Sequence, residues 1–183
     1  LTAGELCYDR DGALSSGGRV NEALLRALLT HPYFETPPPK ASGREMFGGD
    51  YVRALLQKGH ELRITDRDLI ATAVALTAHS IARSYRRFVL PHHGVEEVLL
   101  CGGGARNPTL TAMLKDLLDP LRIGTTDDYG LPSDYLEAMT FAILANETLH
   151  GIAANLPQVT GARRKVVLGK IVPGDNFHAL MQS

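Results

Sequence analysis

The chain has 183 residues, 44% hydrophobic and 21% charged, with 19 basic and 20 acidic side chains and a formal net charge of −1. That balance suits one globular domain, or one large lobe of a bilobed protein, and supplies no global field for nucleic acid or an anionic membrane surface. No apolar run approaches the ~20 residues of a membrane-spanning helix, no signal-peptide pattern opens the chain, and two distant cysteines, Cys7 and Cys101, lack metal-ligand spacing, which fits a reduced, cytoplasmic setting.

In chain order, the opening Leu1-Thr2-Ala3-Gly4 lacks an initiator Met, as a piece of a longer protein would. "YDRDG", Tyr8 to Gly12, sets Asp9 and Asp11 beside a glycine. Such carboxylates can ligate a metal, but no complete calcium loop follows and a plain turn is the expected structure. "VNEALLRALL", Val20 to Leu29, repeats apolar residues at helical spacing behind Asn21, a good cap. "HPYFETPPPKASGREMFGGDY" then breaks the regularity, and Pro37 to Pro39 favour an extended backbone. Lys40 and Arg44 stand in that loop with Ser42 and Gly43, a grouping that suits phosphate contact, although solvated loop charges are commoner.

Thr65 to Phe88 carries the longest helical pattern. Thr65 and Asp68 resemble a capping box, and Ile70, Val74, Thr77, Ile81 and Tyr85 form the stripe expected to pack against a sheet. His92 and His93 follow in a loop and have no partner at ligand spacing. "EEVLLCGGG" reads as a short buried strand entering a glycine turn. "NPTLTAMLKDLL" continues as a helix capped by Asn107, with Pro108 at the first helical position. "LRIGTTD" reads as a second strand, "PSDYLEAMTFAILANETLHG" as a strong helix stopped by Gly151, and "KVVLGKIV", Lys165 to Val172, as a third strand. Alternating strands and helices make this an α/β chain.

The three consecutive glycines demand an account, because they are costly to order and give nothing to a core. Glycines let a ligand reach the main chain, and the N–H groups opening a helix favour polar or negative ligand atoms. The stretch is neither a Walker loop nor a spaced dinucleotide fingerprint. On spacing alone it is equally a ligand cradle or a tight turn. Glu137, within an otherwise apolar helical run, either points outward or serves a cleft, and outward is the better reading of the residues by themselves.

Taken together, "YDRDGALSSGGRVNEALLRALLTHPYF", "PPPKASGREMF", "LLCGGGARNPTL", "TTDDYGLPSDYLEAMTFAILA", "NLPQVTGA" and "VLGKIVPG" resemble, in order, the C-terminal half of the anhydro-N-acetylmuramic acid kinase family, from about Tyr8 to Gly174. Levoglucosan kinases share most of these motifs. The resemblance implies a ribonuclease-H-like lobe of the sugar kinase, actin and heat-shock chaperone superfamily, with residues 1–183 as the C-terminal, nucleotide-binding lobe and the N-terminal lobe absent. It implies ATP and Mg²⁺ as cofactors, with the metal ligands unassigned. Gly102, Gly103 and Gly104 would hold the adenosine, with Arg106 and Asn107 nearby and Lys40 and Arg44 in a further binding motif. Glu137 would contact the anhydro-sugar, reversing the outward reading.

The usual family form of the second motif is Pro-Pro-Lys-Ser-Thr-Gly-Arg-Glu, so Ala41 removes one hydroxyl here and Ser42 keeps the other. Neither the family's phosphate loop, of the type Gly-Thr-Ser-x-Asp-Gly, nor its Asp-Thr-Gly-Pro-Gly-Asn segment occurs. No catalytic residue is therefore assigned in this chain, and the isolated polypeptide is expected to be inactive. The partners implied are a 1,6-anhydro sugar and the missing lobe, with a homodimer left open, and neither nucleic acid nor membrane. A levoglucosan kinase lobe and a non-catalytic nucleotide-binding remnant are the alternatives.

Overall fold

Small side chains let the longest helix pack into two separate cores. In the computed structural model, which describes residues 8–172, 174 and 175, helix α4 spans Asp66–Ser84 and continues through a π-helical turn over Tyr85–Val89. Thr65 caps it, its Oγ1 accepting from the Asp68 N–H at 3.2 Å. Only half of the expected capping box forms. The Asp68 carboxylate accepts from the Arg19 N–H at 2.6 Å instead, tying the preceding loop to the helix start. The buried face is Leu69, Ala71, Thr72, Ala75, Leu76, Ala78 and Ala82. The stripe expected from spacing is displaced from it, since Thr77 is exposed and Ile81 and Tyr85 are half-buried. Alanines win the interior because they allow neighbouring elements to approach closely on two sides.

Those two sides carry separate cores. Ala78 and Ala82 pack with Val98, Leu114 and Leu118, while Ala75 and Leu76 pack with Leu25 and Phe34. Helix α1, Glu22–Leu28, contributes Leu24 and Leu25, and Asn21 Oδ1 accepts from the Leu24 N–H at 2.9 Å as the cap foreseen. The stretch expected to be irregular contains the short helix α2, Arg44–Phe47, and runs into α3, Gly49–Glu61. Its pattern was hidden by Gly48 and Gly49 at the start and Gly59 inside, all poor helix formers.

Strand β1, Glu97–Leu100, lies parallel to β2, Arg122–Thr125, with Val98 opposite Ile123 and Leu99 opposite Gly124. Helix α5, Pro108–Leu118, connects them and covers one face of the pair through Leu114 and Leu118. Val98 is buried while Leu99, on the other face, is 40% exposed. A mixed α/β arrangement with a small parallel sheet results, as the alternation of patterns required.

The chain divides into two units at Leu136 and Glu137. In the second, helix α6, Leu136–Leu149, buries no residue, and Phe141 is 63% and Ile143 60% exposed. A short helix α7, Pro157–Thr160, follows. The expected strand from Lys165 to Val172 does not form. No described residues offer that segment a partner strand, and side chains hold it instead. Asn155 Oδ1 accepts from the Val166 N–H at 2.7 Å, Asn155 Nδ2 donates to the Arg164 carbonyl at 3.0 Å, and Thr148 Oγ1 donates to the Leu168 carbonyl at 2.6 Å.

Candidate functional site

The site is built where β1 ends. Gly102 has φ +73° and ψ −175°, a region that side-chain-bearing residues essentially do not enter. Its N–H donates to the Ser133 carbonyl at 3.0 Å, and the following residues, Gly103–Arg106, curl into a 3-10 turn. A side chain at Gly102 or Gly103 would meet no atom within 4 Å, and one at Gly104 would touch only Leu110, at 3.5 Å. The glycine main chain therefore presents an open face. A cleft of about 720 Å³ lies there, lined by Gly103, Gly104, Arg106 and Asn107 together with Asp9, Arg10, Asp11 and Asp134.

Three ties fix the turn. The first is the Gly102–Ser133 bond, and Ser133 is held in turn by donating its N–H to Asp127 Oδ1 at 3.2 Å. Hydrogen bonds from Ser133 hold the Asp127 carboxyl below its ordinary range. The second is the ion pair between Arg106 and Asp134. The third is Asn107, whose Oδ1 caps α5 by accepting from the Leu110 N–H at 3.1 Å while its Nδ2 donates to Asp9 Oδ2 at 3.4 Å.

Asp9 is itself anchored, accepting from the Leu14 N–H at 2.7 Å and the Ser15 N–H at 3.3 Å. Burial alone would raise its carboxyl, but hydrogen bonds from Ser15, Leu14 and Asn107 outweigh it and hold the group below the usual Asp value. "YDRDG" is thus the turn expected of it, with a further use. Gly12, at φ +69°, lies so near that a Cβ would sit 2.5 Å from Asn107 Oδ1. Only a glycine lets the loop press against the cap.

Lys40 and Arg44 are not among the residues lining this cleft. Lys40 donates to the Tyr33 carbonyl at 3.1 Å and sits over the Tyr33 and Phe88 rings, 4.5 and 5.2 Å from their centroids. Arg44 is exposed at the start of α2. Glu137 is exposed in the first turn of α6, within the second unit. His92 and His93 remain exposed, Cys101 is an exposed free thiol, and Cys7 lies outside the described residues. Among the described residues no three His, Cys, Asp or Glu side chains converge as a cation site, and no helix is long and apolar enough to cross a membrane.

Asp134, Asp127 and Ser133 were given no site role from the sequence, although all three lie within the motif "TTDDYGLPSDYLEAMTFAILA". Asp9 was in view as a turn residue, but nothing in its local pattern places it beside Asn107, 98 positions away.

The first parallel strand of this α/β protein thus delivers a bare main-chain turn into an open cleft. Comparison with known proteins defines the class. The model of the anhydro-N-acetylmuramic acid kinase family matches residues 2–174, and the chain belongs to that family. It is 47% identical over 171 residues to the anhydro-N-acetylmuramic acid kinase of Caldanaerobacter subterraneus, covering 93% of this chain and 43% of that protein. The Clostridioides difficile protein of the same name is 43% identical over 166 residues, covering 91% of this chain and 43% of its own. A Cyanothece relative is 42% identical over 173 residues, covering 93% and 44% respectively. The chain thus spans under half the length of the curated relatives it matches.

Proposed function

We propose that this chain is the nucleotide-binding lobe, ribonuclease-H-like in architecture, of a kinase acting on 1,6-anhydro-N-acetylmuramic acid. The observation carrying this reading is the unobstructed face at Gly102 and Gly103 in a chain of this family, with nothing within 4 Å of where side chains would stand. Such a face accepts the flat base and sugar of a nucleoside by main-chain contact, which any side chain would block.

In the complete enzyme, water adds to C1 of the anhydro-sugar and the C1–O6 bond breaks. ATP supplies the γ-phosphoryl group that O6 then takes, with ADP leaving, to give N-acetylmuramic acid 6-phosphate. Within this chain, Gly102 to Gly104 seat the nucleoside, the Arg106–Asp134 and Asn107–Asp9 pairs keep the turn rigid, and Glu137 accepts a sugar hydroxyl. Mg²⁺ is commonly held by one or two carboxylates and substrate phosphates, so the lack of a three-ligand cluster among the described residues is compatible with its use. Lys40 and Arg44 belong to the further binding motif, and neither lines the cleft beside the glycines. No residue of this chain is assigned as the base that activates water, so the chain by itself should not turn over.

Titrating ADP into isotopically labelled chain tests this. Amide shifts should appear at residues 102–107 and vanish in Gly103→Leu, whose side chain enters free space and leaves the fold intact. Shifts elsewhere, or shifts surviving in the variant, would overturn the assignment. Phosphorylation of anhydro-N-acetylmuramic acid by the chain alone would refute its inactivity.

A further inference from the structure

The cleft that receives the glycine turn also carries a charge pattern, and it selects which part of a nucleotide fits. Three carboxylates, Asp9, Asp11 and Asp134, face two guanidiniums, Arg10 and Arg106, so the lining is one negative charge in excess. Arg106 is neutralised by Asp134, and Asp9 is occupied by the N–H groups of Leu14 and Ser15 and the Asn107 amide. A polyphosphate finds no surplus of cations there. A neutral group bearing hydroxyls does find an acceptor.

Building on the nucleoside reading above, we propose that Asp11 reads the ribose, its carboxylate accepting hydrogen bonds from the 2′- and 3′-hydroxyls. Asp11 lines the cleft, is exposed, and forms no hydrogen bond or ion pair among the described residues. Its backbone is left-handed, at φ 51° and ψ 26°, a conformation that Asp adopts more readily than most non-glycine residues. The turn around it is independently fixed by Asp9 and by Gly12 against Asn107, so the carboxylate is presented from a rigid support. An ionised carboxylate is acceptor-only, with two oxygens that match a vicinal diol and repel phosphate. The glycine turn then takes the base, the 9–12 turn takes the sugar, and the phosphates point away from this acidic lining.

The test compares adenosine with 2′-deoxyadenosine, followed by amide shifts in the wild-type chain, Asp11→Asn and Asp11→Gly. Adenosine should bind about tenfold more tightly than the deoxynucleoside in the wild type, the usual value of a hydrogen bond to a charged acceptor. Both variants should lose that preference, weakening adenosine more than the deoxynucleoside, which has only its 3′-hydroxyl to lose, and Asp11→Gly also relieves the left-handed backbone, so loss of fold cannot mimic the effect. Equal affinities in the wild type, or a preference persisting in both variants, overturns the role of Asp11 while leaving the nucleoside site standing. Absence of shifts with either nucleoside overturns both.

Discussion

Two helices, α4 and α6, both rich in apolar residues, end in opposite circumstances. In α4 an alanine and leucine face is buried from Leu69 to Ala82 and joins two cores, while in α6 Leu, Ala, Met, Phe and Ile run nearly all round and none is buried. The contrast separates hydrophobic composition from core formation. A helix apolar on one side specifies its own packing, whereas one apolar on every side has the composition of a helix enclosed by protein, and the described residues do not enclose α6. The cleft beside the glycine turn is lined wholly by residues of the first, well-packed unit, where rigid support is available to hold a strained turn.

The largest expected effect sharpens this contrast directly. Leu114→Ala, at a side chain 1% exposed, should lower unfolding free energy by ~2–5 kcal/mol. Phe141→Ala, at 63% exposure, should change it by no more than ~0.5 kcal/mol. Urea unfolding of both variants decides the matter, and comparable losses would break the distinction between the units. Next comes Gly12→Ala, which combines a positive φ with a Cβ 2.5 Å from Asn107 Oδ1 and should cost ~1–3 kcal/mol while weakening ADP binding through the displaced cap. Asn107→Ala, which removes the cap together with the hydrogen bond from Nδ2 to Asp9, should cost ~1–2 kcal/mol in the same experiment.

The smallest effect is on pH dependence. The Asp9 and Asp127 carboxyls are held below their ordinary value of 3.8, so their contribution is complete above that pH and is lost as the pH falls through the lowered native values. Stability should therefore decline on acidification below about pH 4, and Asp9→Asn should make the decline shallower. An unchanged slope in that variant would remove Asp9 from the account.

Much of this was legible locally. Asn21, Thr65 and Asn107 announced their helices, since a cap and its helix are contiguous in sequence. The two strands and the glycine turn followed from apolar runs and punctuation. Long-range pairing was not legible. Nothing near Asp68 says that its carboxylate goes to Arg19, or that Asp134 meets Arg106. The stripe on α4 was misplaced because spacing alone favours larger residues over the alanines that close packing selects. "KVVLGKIV" had strand propensity, but a strand also needs a neighbour, and the Asn155 amide took that place.

One measurement bears most directly on the bare glycine face. Intermolecular nuclear Overhauser effects between adenosine and the labelled chain should connect the base and ribose protons to the α-protons of Gly102, Gly103 and Gly104. Contacts confined to other surfaces, with these three glycines untouched at saturating nucleoside, would contradict the account.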